Sequence, residues 1–315
     1  MLIRALITHN YGVENMERIR QLGYDIIEKS EKELYFSEEL RDTEVLVCYN
    51  PFNTLDISKL PNLKWIQLTS VGIDQVPIDI LKKNSITLTN NKGGYSIPIG
   101  EWIVLKLLEM YKNSKAFYQK QSQKIWKIDT SLLELYGKTI GFIGTGSIAS
   151  EAAKRLKGFG VDILGLNTRG TKTEYFDKCY SIDKINEMVK LSDAIVVSIP
   201  HTEKTHNLLN EEVFQEMKNG VYLVNIARGS IIDERAMINN LKNGKIKCAA
   251  LDVFEKEPLD KNNPLWEIEN VIITPHNSWV SEMRDDRRFN IIYDNLKRYL
   301  SNQTLKNIVD LNKGY

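Results

Sequence analysis

The sequence predicts an α/β protein of two domains, each a parallel sheet covered by helices. Three observations carry this. Apolar strand-like runs alternate with helix-like segments along most of the chain. A glycine turn, Gly144-Thr145-Gly146, follows one of those runs directly. A length of 315 residues is also enough for two cores of ordinary size.

The first third supplies three buried-strand signals: Leu2 to Ile7, Val45 to Cys48 and Trp65 to Leu68. Amphipathic or polar stretches separate them, which gives a small βα unit ending near Asn90. A helix signal follows, with Ser96 as a cap, Pro98 in the first turn and Glu101 where a helix start favours an acid. Ile99, Ile103, Leu107 and Met110 then recur at helical spacing beside Trp102, so a long helix leads out of the first domain. From Lys138 a new series begins, with strands at Thr139 to Ile143, Val161 to Leu166, Ala194 to Ser198, Val221 to Val224, Cys248 to Leu251 and Val271 to Thr274. Helical segments separate most of them, the pattern of a parallel sheet buried on both faces. Glu282 to Leu300 is again helical, through Phe289, Ile292, Leu296 and Leu300. No repeat occurs at a fixed period.

Composition narrows the function classes. Hydrophobic residues make up 42% and charged residues 26%, and the formal net charge is +1. That balance gives no global electrostatic case for nucleic acid or an anionic membrane. The N-terminus lacks a signal-type segment, and no apolar run is long enough to span a bilayer. Cys48, Cys179 and Cys248 form no metal-type spacing, and a sparse odd count suits core positions in a reducing compartment. A cytoplasmic protein without a metal site is the expectation.

The glycine turn has the context a phosphate site needs. Gly144 permits the tight turn, Gly146 lets a pyrophosphate approach the backbone, and Ala149 takes the place of the third glycine in helix–strand packing. The helix-like Glu151 to Leu156 follows, so the turn opens onto a helix N-terminus with unpaired N–H groups. The second strand of this unit decides the cofactor. Where an NAD site carries Asp or Glu, this chain has Asn167-Thr168-Arg169-Gly170-Thr171-Lys172. Without a carboxylate to repel a 2′-phosphate, and with a guanidinium that matches one, NADP(H) is favoured over NAD(H).

Three later strand ends carry chemistry. Arg228 lies in Val224-Asn225-Ile226-Ala227-Arg228-Gly229-Ser230, acids follow Cys248-Ala249-Ala250-Leu251, and His276 lies in Ile273-Thr274-Pro275-His276-Asn277-Ser278-Trp279. The carboxyl edge of an open α/β sheet is where ligands bind, so Arg, Glu and His would converge on one crevice. His9 and His206 read as structural or exposed, and His201 receives no role. Tyr95 and Trp279 either wall a pocket or belong to the core.

With these motifs in order, the chain resembles the D-isomer-specific 2-hydroxyacid dehydrogenases almost end to end. The resemblance includes Leu63 to Gln67, Ser70-Val71-Gly72-Ile73-Asp74, the Gly144 turn, Ile199-Pro200 with Thr202 and Thr205, and Asn225 to Gly229. It continues through Leu251-Asp252-Val253-Phe254, Glu257-Pro258 and Thr274-Pro275-His276.

The resemblance implies two Rossmann-like or flavodoxin-like domains with the active site in the interdomain cleft, and commonly a homodimer. Residues 1–96 plus 286–315 would form the substrate-binding domain, and residues 97–285 the dinucleotide-binding Rossmann domain. It also implies hydride transfer between NAD(P)H and a small 2-keto or 2-hydroxy acid such as glyoxylate, hydroxypyruvate or a short-chain keto acid. His276 would exchange the proton. Glu257, preferred to Glu255 on the motif, would hold the imidazole and support its charged form. Arg228 would clamp the substrate carboxylate. Val71 and Gly72 would offer that carboxylate their N–H groups, and Asp252 would touch the nicotinamide end. The dinucleotide would lie along Gly144, Thr145, Gly146, Ser147, Ile148, Asn167, Thr168, Arg169, Lys172, Ile199, Pro200, Thr205, Ile226 and Ala227. Ser147 departs from members that carry Arg there. The alternatives are a 3-phosphoglycerate dehydrogenase-like enzyme lacking a regulatory domain and a nonenzymatic NAD(P)-sensing, corepressor-like binding protein. The latter need not keep Arg228, Glu257 and His276 together.

Overall fold

Period-two burial explains how the first apolar runs become sheet. The computed structural model describes residues 2–315, beginning with β1 (Ile3–Ile7), α1 (Val13–Gln21), β2 (Tyr24–Glu28), β3 (Val45–Cys48), β4 (Trp65–Leu68), α2 (Ile78–Lys83) and β5 (Thr87–Thr89). In β3, Val45 and Val47 face one core while Leu46 and Cys48 face another. All four residues are buried, as a strand covered on both faces requires. The five strands are parallel in the order β2-β1-β3-β4-β5. The polar β2, at one edge, and the three-residue β5, at the other, fall outside the strands expected from sequence.

The second series follows as α3 (Ser96–Tyr111), α4 (Ser114–Ser122), β6 (Thr139–Ile143), α5 (Ser147–Leu156), β7 (Asp162–Asn167), β8 (Lys178–Ser181), α6 (Ile185–Leu191) and β9 (Ala194–Val197). It ends with α7 (Glu211–Glu216), β10 (Val221–Asn225), α8 (Glu234–Lys242), β11 (Ile246–Leu251) and β12 (Val271–Ile273). Its seven strands are parallel in the order β12-β11-β10-β9-β6-β7-β8. Chain order reverses between β6 and β9, so the carboxyl ends of these two strands mark the crevice where such sheets take ligands. Ser96 is the first residue of α3 rather than its cap, and its hydroxyl bonds that of Ser147 at 2.9 Å. Gly100 makes the close crossing of α3 over α5 possible, since a Cβ there would lie 3.0 Å from the Ala152 nitrogen.

The last helix, α9 (Arg284–Leu300), returns to the first sheet. The chain divides into two compact units, Met1–Tyr95 with Ser281–Tyr315, and Ser96–Val280. In the first unit Phe289, Ile292 and Leu296 of α9 pack with Ala5, Ile7, Val45, Val47 and Trp65, and Tyr299 stacks on Trp65 at 5.0 Å.

A buried polar chain fixes the register of this docking. Trp65 Nε1 donates to Thr89 Oγ1, and Thr89 Oγ1 and Asn295 Nδ2 each donate to Gln67 Oε1, all at 2.8 Å. Asn295 also donates to the Lys306 carbonyl at 3.0 Å and accepts from the Lys306 N–H at 2.8 Å. Among the described residues no helix is long and apolar enough to cross a membrane. Asn295→Ala strips these buried groups of their partner and should cost about 2–4 kcal/mol of unfolding free energy. Urea denaturation measures it, and a loss under about 1 kcal/mol contradicts the assignment.

Candidate active site

The glycine turn after β6 fits a pyrophosphate. Gly144 has φ +103°, and a Cβ there would meet Ile199 Cγ2 at 2.6 Å and the Ser198 carbonyl oxygen at 2.7 Å, so only glycine passes. Gly146 is the N-cap of α5 and places no side chain across the helix end. A Cβ at Gly146 would meet nothing within 4 Å, which leaves open space beside the first-turn N–H groups. Ala149, Ala152 and Ala153 are fully buried beneath the turn.

Beyond β7 the loop is built by Asn167. Its Oδ1 accepts from the N–H groups of Arg169 (3.2 Å) and Thr171 (3.0 Å). Its Nδ2 donates to the Thr171 carbonyl (2.8 Å) and to Thr145 Oγ1 (3.2 Å), joining this loop to the glycine turn. Thr173 Oγ1 donates to the same Thr145 oxygen at 3.1 Å. Thr168, Arg169 and Lys172 are exposed, and neither cation has an ion-pair partner among the described residues. Beside β9, Thr205 Oγ1 accepts from the Thr202 N–H at 2.7 Å and donates to the Pro200 carbonyl at 2.9 Å. Thr205 therefore shapes its loop with the hydroxyl expected to meet the cofactor. Ile226 and Ala227 are buried, with their N–H groups bonded to the Val197 carbonyl and to Asn225 Oδ1.

The ends of β10, β11 and β12 bring the expected catalytic group together in the second unit. Asn225, the last residue of β10, accepts from the Ala227 N–H and donates to the Arg228 carbonyl, both at 3.0 Å, which turns the chain and presents Arg228. The Arg228 guanidinium donates to the Ala227 carbonyl at 2.7 Å. Gly229 lies so close to the segment after β11 that a Cβ would fall 1.9 Å from the Phe254 carbonyl carbon. That segment supplies Glu257, whose Oε1 accepts from the Phe254 N–H at 3.0 Å and whose Oε2 accepts from His276 Nδ1 at 2.8 Å. An ionised carboxylate can only accept, so Nδ1 carries the hydrogen and Nε2 stays available. Partial burial pushes the Glu257 carboxyl up. The hydrogen bonds from His276 and Phe254 and the charges of His276 and Arg228 outweigh it, holding the group below the usual carboxylate range. Glu255 is exposed, and Glu257 is the one that reaches the imidazole.

Asp252 has a structural setting of its own. It is fully buried, and both oxygens are committed to the loop after β12. Thr274 Oγ1 donates to Oδ1 at 2.5 Å, the Asn277 N–H to Oδ1 at 2.9 Å, and the Ser278 N–H to Oδ2 at 3.0 Å. The Asp252 carbonyl also accepts the His276 N–H at 2.8 Å. Sequence reasoning placed Asp252 near the site but missed this clamp. The signal was an acid at a strand end buried among apolar neighbours, where it needs donors of its own.

The first unit has its own ligand-type loop. Ser70 Oγ donates to the Gly72 carbonyl and Asn90 Nδ2 to the Val71 carbonyl, both at 2.9 Å. The Val71 and Gly72 N–H groups make no hydrogen bond among the described residues, so they suit an anion. Tyr95 is buried and donates to the Thr69 carbonyl at 2.5 Å, which makes it a support of this loop. Among the described residues no cluster of His, Cys, Asp or Glu is placed to hold a metal ion.

Comparison with known proteins bears on the family. Residues 104–278 match the family model for the NAD binding domain of D-isomer specific 2-hydroxyacid dehydrogenase. A glyoxylate reductase of Thermofilum pendens is 35% identical over 245 residues, 75% of this chain and 72% of that protein. A D-3-phosphoglycerate dehydrogenase of Methanocaldococcus jannaschii is 31% identical over 314 residues, 98% of this chain. The chain spans 60% of that relative's length and 53% of that of the Archaeoglobus fulgidus protein of the same name. Among solved structures, the NADPH-dependent glyoxylate/hydroxypyruvate reductase of Sinorhizobium meliloti superposes with a TM-score of 0.82 at 25% identity, covering 98% of each chain. Dinucleotide turn, strand-end Arg, Glu and His, and sequence similarity lead to one conclusion: this chain belongs to the D-isomer specific 2-hydroxyacid dehydrogenase family.

Proposed function

We propose that the chain reduces a small 2-keto acid of the glyoxylate or hydroxypyruvate type to the D-2-hydroxy acid, with NADPH as the preferred cofactor. The observation that carries the reading is the His276–Glu257 hydrogen bond of 2.8 Å, which leaves Nε2 of the imidazole to meet the substrate. When bound, the nicotinamide supplies the hydride to the keto carbon. His276 gives its proton to the carbonyl oxygen, so one hydride and one proton convert C=O to CH–OH. Glu257 stabilises the imidazolium and fixes its direction. Because its carboxyl is held below the usual range, that support persists as pH falls and is lost only through the depressed value. Arg228 binds the substrate carboxylate and polarises the keto oxygen. The N–H pair of Val71 and Gly72 is also suited to a carboxylate.

Exposed Arg169 and Lys172, with no acid from Asn167 to Lys172, support NADPH over NADH. The match to a phosphoglycerate dehydrogenase along 98% of this chain makes 3-phosphohydroxypyruvate the competing substrate. A nonenzymatic sensor is disfavoured because it has no use for the Arg228, Glu257 and His276 set. The free thiols of Cys48, Cys179 and Cys248 suit the cytoplasm as its location. A second copy of the chain is the proposed partner. The segment after α4 exposes Ile125, Ile128, Leu133, Tyr136 and a 99% exposed Trp126, an apolar stretch that a homodimer would cover.

A panel of 2-keto acids assayed with NADPH and with NADH tests the reading. Glyoxylate or hydroxypyruvate with NADPH should give the highest kcat/KM. Arg228→Ala should lower it by about 100-fold or more with NADPH binding nearly intact. Arg169→Ala should raise the KM for NADPH about tenfold and leave NADH unaffected. Full activity of Arg228→Ala, or a preference for NADH, contradicts the corresponding assignment. Sedimentation equilibrium should return twice the single-chain mass, falling to one chain in Trp126→Asp; a monomeric parent protein rules the dimer out.

A further inference from the structure

We infer that Trp279 is a positioning residue for His276, acting through the backbone carbonyl of that histidine. The inference rests on His276 being the proton donor of the proposed reaction.

His276 has φ +50°, a left-handed conformation that residues with a Cβ adopt rarely and keep only where their surroundings enforce it. Three of its handles are already accounted for. The N–H is shared between the carbonyls of Asp252 (2.8 Å) and Thr274 (3.0 Å). The side chain is held by Glu257. The two following N–H groups, of Asn277 and Ser278, are held by the Asp252 carboxylate. What remains is the His276 carbonyl, and it accepts from the indole Nε1 of Trp279 at 2.8 Å. Together with the Asn277 N–H on Asp252, this bond holds both sides of the peptide between His276 and Asn277.

The chemical consequence follows from geometry. Without the indole N–H that peptide is held only by the Asn277 N–H on Asp252, and the backbone of His276, held at φ +50°, gains room to relax toward the right-handed region that its Cβ prefers. The Cα–Cβ direction then swings and carries the imidazole off Glu257. Displacement of a reacting group by about 1 Å costs up to about 100-fold in rate. Trp279 is only partly buried, so its ring is not a core filler whose volume alone explains it. A phenylalanine would fill the same space and leave the carbonyl without its donor.

The test is W279F, together with benzothienylalanine in place of Trp279, which keeps the indole shape and removes only the N–H. Each should lower kcat for keto-acid reduction about tenfold, the value of one hydrogen bond, with KM and NADPH affinity nearly unchanged. In a His276→Ala background W279F should add nothing, because a residue that acts through His276 has nothing left to position. Amide exchange at Asn277 and Ser278 should quicken by about tenfold in either variant. Wild-type turnover in both variants, an undiminished W279F effect on His276→Ala, or unchanged exchange overturns the inference. Failure of the wild-type chain to reduce any 2-keto acid would instead sink the proposed reaction, and the exchange measurement would still decide whether Trp279 holds the loop.

Discussion

A carboxylate with no access to water must find donors inside the protein, and Asp252 finds them in the loop after β12. Leaving such a charge unpaired would cost several kcal/mol, so the donors are not optional. Thr274, Asn277 and Ser278 give three hydrogen bonds to its two oxygens, and its own carbonyl takes the His276 N–H. These bonds hold the loop on a path that places a histidine in a left-handed conformation with its ring on Glu257. The same residue sits one position beyond β11, so β11, β12 and the loop between Val253 and Glu257 are referred to a single buried point. The Glu257 carboxylate at Nδ1 fixes the direction of the ring on which the proposed proton transfer relies.

The fold explains why these groups meet. In a parallel sheet every strand delivers its carboxyl end to one edge, so residues distant in sequence such as Asn225, Asp252 and Thr274 become neighbours. The reversal of strand order between β6 and β9 opens that edge beside the glycine turn. The close passage of Ser198 and Ile199 over Gly144 ties the β9 loop to it. Asn167 and Thr145 extend the tie to the loop carrying Arg169. The dinucleotide side of the second unit is thus one hydrogen-bonded rim rather than a set of separate loops.

Much of this was legible in the sequence, and the physical reason is burial. Strands covered on both faces are continuous apolar runs, so β1, β3, β4, β6 and β9 to β12 announce themselves. The polar edge strands β2 and β8 and the three-residue β5 do not, because edges mix charge into the pattern. Arg228 and His276 could be read from their places at strand ends. The choice of Glu257 over Glu255 needed the family motif, since spacing alone places two acids after β11. Tertiary hydrogen bonds were out of reach: the clamp on Asp252, the use of Thr205 within its own loop, and the bond between Ser96 and Ser147 that takes Ser96 out of the capping role.

Asp252→Asn tests the central claim most directly, because it preserves shape and replaces an oxygen that accepts an N–H with an NH2 group that opposes it. The rate of hydride transfer in a single turnover, followed by NADPH absorbance, should fall about 100-fold, while NADPH affinity in the same samples stays nearly constant. Transfer at the wild-type rate in Asp252→Asn would show that His276 is held in place by something other than this buried carboxylate.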